Sequence, residues 1–171
     1  MAAIVGIVPD EELGVVVLEN RDHAECRHAL LWKVLDLWGG KSDGRDWSAD
    51  LKPIYDEIVQ QAEAQRQEVQ ASRVPDTSPS LSLESYAGTY THELYDQVSV
   101  THEGDVLRLV IGPGLAADLG HWHHDTFEAR FDDRWRGEAL ATFSLDDAGQ
   151  PARLDLFGLT FDRLPESPTE E

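Results

Sequence analysis

Apolar positions change their rhythm near the middle of the chain. Before residue 71 they come as one unbroken run and then at helical spacing; from Tyr86 they come in short stretches cut by turn residues. Leu13-Gly-Val-Val-Val-Leu18 is a continuous β-branched apolar run, the pattern of a strand buried on both faces. Asp22, followed three residues later by Glu25, has the form of a capping box, in which each side chain answers a free backbone N–H. Cys26, Leu30, Val34 and Leu37 then fall at helical spacing. Gly39-Gly40 stops that helix, because glycine enters the left-handed conformation without a Cβ penalty. Ser48 is placed to cap a second helix whose apolar face is Leu51, Ile54, Tyr55, Ile58 and Val59. Its continuation over 60–70 is rich in Gln, Glu and Ala, helical by propensity with little to bury.

Ser72-Arg-Val-Pro-Asp-Thr-Ser-Pro-Ser80 has two prolines, three serines and no period, and reads as a linker. Beyond it, turn signals recur about every ten residues, the spacing of an all-β sandwich or barrel. Gly104-Asp105 between Val98–Thr101 and Val106–Ile111 predicts a hairpin, and Gly112-Pro-Gly114 breaks the chain. Leu119–His124 and Phe127–Phe131 read as another strand pair. Glu138–Leu145 and Arg153–Phe157 flank the turn Asp146-Asp-Ala-Gly149, and Phe161–Leu164 closes the set. Seven or eight strands suit a small antiparallel barrel, whose closure removes exposed edges. The expected fold class is therefore α+β: an N-terminal strand and two helices over 1–71, a linker over 72–80, a small antiparallel β-barrel over 81–164, and a disordered acidic tail over 165–171.

Charge narrows the partners. The chain carries 14 Lys and Arg against 33 Asp and Glu, a net of −19, and residues 81–171 hold 6 basic against 18 acidic side chains. Phosphate binding along a strand needs basic side chains, so a nucleic-acid partner is not expected. Docking on an anionic membrane fails for the same reason. No apolar run approaches the roughly 20 residues that span a bilayer. Met1–Asp10 is apolar but lacks a basic n-region and turns acidic at once, so it does not read as a signal peptide, and the chain as it stands reads as cytoplasmic. The single cysteine, Cys26, permits no intrachain disulfide and lies on the first helix's apolar stripe, where it reads as a buried, inert thiol.

Candidate chemistry is concentrated in His121-Trp-His-His-Asp-Thr-Phe127. On a strand His121, His123 and Asp125 point to one face and Trp122, His124 and Thr126 to the other. Two imidazoles and a carboxylate on one face form a donor set for Zn²⁺ or another transition metal. The alternative is that these side chains pack inside a small barrel and hydrogen-bond to one another. His121, Trp122, His123, His124 and Asp125 are the candidate ligand-binding residues on either reading, and no cofactor is expected. His23 and His28 are five apart and do not share a helix face well. Trp32, Trp38 and Trp47 suit the cover of a helix pair or a partner surface. Asp132-Asp133 and Asp146-Asp147 lack the spacing of a calcium loop and read as solvated turns. No glycine-rich phosphate loop, zinc ribbon or nucleophile elbow occurs.

Two stretches together carry a resemblance. Pro9-Asp-Glu-Glu-Leu-Gly-Val-Val-Val-Leu-Glu-Asn20, followed by an Ala/Leu/Trp helix, resembles the last strand and C-terminal helix of serine β-lactamase-like hydrolases, the penicillin-binding-protein and esterase relatives. Leu83-Glu-Ser-Tyr-Ala-Gly-Thr-Tyr90, Pro113-Gly-Leu115, His121–Phe127 and Ala139-Leu-Ala-Thr-Phe143 resemble the domain of unknown function that directly follows that hydrolase domain in many bacterial proteins. The resemblance implies a lipocalin-like barrel. It carries over no catalytic residue. The residues three before Lys33, Lys41 and Lys52 are Leu30, Trp38 and Ala49, so Ser-x-x-Lys is missing, and the only asparagine, Asn20, is not in Tyr-x-Asn. His102-Glu-Gly104 has the form of a third motif but lies in a predicted barrel hairpin.

The chain is therefore expected to be a non-catalytic accessory or interaction domain and not an enzyme. A strand and helices taken from a hydrolase's end expose apolar surface, which implies a homodimer through the N-terminal strand and helices, or a hydrolase domain as partner. The alternatives are a binding module for a small apolar ligand inside the barrel and a stand-alone hydrolase. Tyr90, Leu107, Leu109, Trp122, Phe143 and Leu156 are large interior candidates that favour a filled barrel.

Overall fold

A computed structural model describes residues 2–20, 24–40 and 44–165. The Asp22 capping box, His23 and the expected tail beyond 165 lie outside the described residues. The chain forms two compact units, Met1–Ala71 and Ser72–Glu171.

The first unit opens with a hairpin. Strand β1 (Ala2–Val8) pairs antiparallel with β2 (Leu13–Glu19), with Val5 opposite Val16 and Ala3 opposite Leu18. The sequence reading had only the second of these, as a strand buried on both faces. β2 is instead half-buried on one face and open on the other: Val16 is 61% and Leu18 65% exposed, beside Val5 at 57% and Ile7 at 71%. The half-buried face lies against helix α1 (Ala24–Trp38), where buried Leu31 sits over Gly6 so closely that a Cβ there would come within 2.8 Å of its Cδ1. Among the described side chains of α1, Ala29 and Leu31 are buried, whereas Cys26, Leu30 and Leu37 are exposed. This corrects the expected stripe and the buried thiol. Apolar residues lie on more than one side of the helix, interrupted by Glu25, Arg27, His28, Lys33 and Asp36, so spacing alone does not choose the face it buries.

Helix α2 (Trp47–Ala71) begins one residue before the expected cap. Asp46 does the capping: its Oδ1 accepts from the Ser48 and Ala49 N–H groups, each at 3.1 Å. The helices are held by the Tyr55 hydroxyl with His28 Nδ1 (3.1 Å), by Trp47 Nε1 donating to Asp36 (2.5 Å) and by the stacked rings of Trp32 and Trp47. No described residue of α2 is fully buried, and no helix among the described residues is long and apolar enough to cross a membrane.

The second unit is a closed antiparallel barrel of eight strands. The short helix α3 (Leu83–Tyr86) leads into β3 (Gly88–His92), β4 (Asp96–Glu103), β5 (Val106–Gly112), β6 (Leu115–His123), β7 (Thr126–Phe131), β8 (Glu138–Leu145), β9 (Pro151–Leu156) and β10 (Leu159–Arg163). Each strand pairs with the next, and β10 closes on β3. Alternation puts Val98 and Val100, Leu107 and Leu109, Ala117 and Leu119, Phe127 and Ala129, and Leu154 and Leu156 inside. Tyr86, Tyr90, Phe127, Phe143 and Phe161 complete the core, with the Tyr86 ring 5.0 Å from that of Phe143. The barrel is thus filled with its own side chains. Trp122 is not among them. The register slips between His121 and His123, and Trp122 lies outside the interior cluster, with the Arg73 guanidinium 4.9 Å from its ring.

The serine- and proline-rich stretch has a definite course. Residues 72–82, termed the strap below, are hydrogen-bonded to the turn between β6 and β7, so the stretch read as a linker is fixed to the barrel.

Candidate functional site

The β6–β7 turn is built on His124, which takes a left-handed backbone (φ 45°) that lets a two-residue turn match the strands' twist. Asp125 beside it is an anchoring carboxylate. One oxygen accepts from the Ser80 N–H and the other from the Ser80 hydroxyl, each at 2.8 Å, and the Tyr86 hydroxyl donates to it in a short bond. Tyr86 also accepts from the Leu81 N–H (3.2 Å), and the Asp125 carbonyl accepts from the Phe143 N–H (2.9 Å). One side chain therefore joins the strap and α3 to the turn, while its own carbonyl joins the turn to β8.

Two histidines have assigned tautomers. His123 Nδ1 accepts from the Val74 N–H at 3.1 Å, so the proton of its neutral ring is on Nε2. His121 Nε2 is 3.0 Å from the His124 carbonyl and donates to it. The His124 N–H donates to Thr77 Oγ1 (3.1 Å), and Arg73 Nε donates to the Trp122 carbonyl (2.9 Å).

The surroundings shift the ionisable groups. Burial alone would raise the Asp125 carboxyl, but the bonds from Tyr86 and Ser80 prevail and hold it below the usual carboxylate range. Burial, reinforced by the bond to Asp125, pushes the Tyr86 hydroxyl up to about 12. Burial, followed by the neighbouring His124, His121 and Arg73, lowers His123 below the ordinary imidazole value.

All five sequence candidates thus gather at this turn. No group of three His, Cys, Asp or Glu side chains among the described residues could hold a metal ion. His121, His123 and Asp125, the alternative donor set, are each engaged elsewhere: with the His124 carbonyl, the Val74 N–H, and Ser80 with Tyr86. The Ser80 hydroxyl donates to the Asp125 carboxylate. What the arrangement does is fasten chain segments. Arg73, Val74, Thr77, Ser80 and Tyr86 were missed as site residues. A signal was present only for Tyr86, whose Tyr-Ala-Gly-Thr-Tyr setting carries the resemblance, whereas the others lay in the stretch read as a linker.

A closed eight-stranded barrel, filled by aromatic side chains and tied at one turn to its own N-terminal strap, is a small barrel module. Residues 72–167 match the domain of unknown function DUF3471, and the chain belongs to this family. Among solved structures it is similar to the C-terminal domain of penicillin binding protein Rv0907, at 27% identity over 54% of this chain and 94% of that one, with a TM-score of 0.45. It is also similar to SurE, at 28% identity over 53% of this chain and 21% of that one, and to SurE with D-Leu, at 27% identity over 53% and 22%, both with a TM-score of 0.45. The chain thus spans about a fifth of the SurE chains it matches. No curated protein matches it. The resemblance read from the barrel sequence, to a domain of unknown function, agrees with this family.

Proposed function

We propose that the chain is a non-catalytic accessory module related to the C-terminal region of serine β-lactamase-like hydrolases, and that it works by association, two copies meeting through the first unit. The observation that carries this is the outward face of the β1–β2 hairpin, where Val5, Ile7, Val16 and Leu18 are each more than half exposed. Charge supports a second copy as the occupant. In a chain with a net charge of −19, most of the surface repels another copy. The hairpin strands carry a single charged side chain, Glu19, and that one is paired with Arg27 at 3.5 Å. The β1 strand has neither charge nor proline, the usual protections of a free sheet edge. The non-catalytic reading is supported by the engagement of Asp125, Tyr86 and Ser80 in fastening the strap.

Sedimentation velocity of the full chain at micromolar concentration is expected to give twice the 19.1 kDa monomer mass, and Leu18→Glu is expected to return it to the monomer. A wild-type chain that stays monomeric would overturn the proposed association, and a monomer that becomes stoichiometric with an added hydrolase domain would replace the second copy by that partner. Turnover of a chromogenic β-lactam or a short-chain ester above buffer would overturn the non-catalytic reading.

A further inference from the structure

The barrel unit assigns most of its arginines to carboxylates. Arg108 faces Asp118 and Asp132, Arg130 faces Glu128, Arg136 faces Asp133 and Arg153 faces Asp162. Arg73 faces none among the described residues. Its Nε is bonded to the Trp122 carbonyl, and its guanidinium lies on the Trp122 ring. The side chain is otherwise exposed. Beside it are the rings of His123 and His124, 5.5 Å apart, with His121 close by. Four side chains able to carry positive charge are therefore clustered in a unit where acidic residues greatly outnumber basic ones. Protonating the imidazoles beside Arg73 adds like charge there, which an anion shared among them would offset.

A second observation is independent of charge. Trp122 is only 4% exposed, and its indole N–H has no acceptor among the described residues. Buried donors are nearly always matched, and the ring that carries this one lies under the Arg73 guanidinium. The unspent groups here are donors: the Arg73 terminal nitrogens, His123 Nε2–H, the exposed His124 ring and the Trp122 indole. Asp125, whose charge acts on His124, takes its hydrogen bonds from Ser80 and Tyr86. Donors with no hydrogen-bond partner of their own suit an oxygen anion, and a guanidinium fork is shaped for one.

We infer that Arg73, Trp122, His123 and His124 form a binding site for a small oxyanion, a carboxylate or phosphate group. The anion accepts from the Arg73 guanidinium and from the Trp122 indole N–H, which gives that buried donor its missing partner. This site is separate from the hairpin face and does not depend on the association proposed above.

The test is an NMR titration of the full chain, following the indole and imidazole N–H signals, with sodium phosphate in one arm and sodium acetate in another at ionic strength held constant with chloride. Trp122→Phe assigns the Trp122 indole signal. Saturable shifts of the Trp122, His123 and His124 signals are expected, with affinity rising as pH falls through the imidazole range. The groups that set this dependence are His121 and His123 on β6, His124 and Asp125 in the turn, and Arg73 and Asp76 in the strap. Arg73→Gln is expected to weaken binding about tenfold. His124→Asn, at an exposed ring with no described side-chain bond, is expected to weaken it severalfold with an unchanged melting temperature, which separates loss of the site from loss of the strap. Saturation by phosphate alone assigns a phosphate ligand, by acetate alone a carboxylate. Shifts that never saturate, or that persist unchanged in both variants, overturn the site.

Discussion

The two units treat the same problem in opposite ways. A sheet must cover its apolar side chains and satisfy its edges. The barrel does both by closing: β10 meets β3, and the interior is filled with Tyr90, Phe127, Phe143 and Phe161. The N-terminal hairpin covers only the face under α1 and leaves Val5, Ile7, Val16 and Leu18 outside. The apolar content of a segment therefore says little about whether it is finished. β2 is apolar over six of its seven residues and yet has one bare face, whereas β7 contains Glu128 and Arg130 within a complete barrel.

The comparison predicts unequal responses to the same kind of change. Leu109→Asp, inside the barrel, is expected to unfold the second unit, because a charge buried without a partner costs several kcal/mol. Tyr86→Ala follows, since its ring packs against Phe127 and Phe143 and its hydroxyl ties two segments; a loss of about 3–5 kcal/mol is expected. Val16→Asp, on the bare hairpin face, is expected to change the stability of the monomer by no more than about 0.5 kcal/mol. Chemical denaturation of the three variants, followed by hydrogen exchange of barrel and hairpin amides, measures all of these. A large loss of monomer stability in Val16→Asp would mean that the face is not bare.

The Asp125 anchor divides the comparison more finely. Asp125→Asn keeps the shape and removes the charge, and is expected to cost about 1–3 kcal/mol, because the donors of Ser80 and Tyr86 lose a charged acceptor. Its carboxyl lies below the usual range in the folded state, so the folded chain binds fewer protons there than the unfolded one. The contribution is complete above the ordinary carboxylate pKa and is lost as pH falls through the depressed one. Acid denaturation curves of wild type and Asp125→Asn are expected to converge at the acid end.

Much of this was readable in the sequence, for identifiable reasons. The strands of the barrel follow from alternation and turn residues, and Glu138–Leu145 was read with its observed ends. The polar extension of α2 was legible from propensity, since nothing else decides it. Strand β1 was not read, because Ala2, Ala3 and Gly6 dilute its β-branched residues and its pairing with β2 is a tertiary fact. The face of α1 was misplaced because apolar residues lie on more than one side of it. The candidate residues His121–Asp125 were legible as a cluster from composition alone. Their partners were not, because Arg73, Val74, Thr77 and Ser80 lie some 45 to 49 residues away and act partly through backbone groups that carry no sequence signature.

The smallest expected effect concerns His123, and it links the strap to pH. Its Nδ1 accepts from Val74, so protonating the ring sets two N–H groups against each other and releases this tie. Burial and the surrounding His124, His121 and Arg73 already lower its pKa from the ordinary 6.5. A lowered value means that the unfolded chain takes up the proton first, so the stability tied to the neutral ring is complete above 6.5 and declines as pH falls below it. His123→Gln, uncharged at every pH, is expected to flatten this decline by a fraction of the roughly 1 kcal/mol that a neutral hydrogen bond contributes. Melting temperatures of the two proteins across the imidazole range measure it, and parallel curves would show that His123 does not hold the strap. A bound oxyanion acts in the other direction, because it favours the charged ring. Adding phosphate is therefore expected to raise the His123 pKa in the wild-type chain and to leave it unmoved in Arg73→Gln.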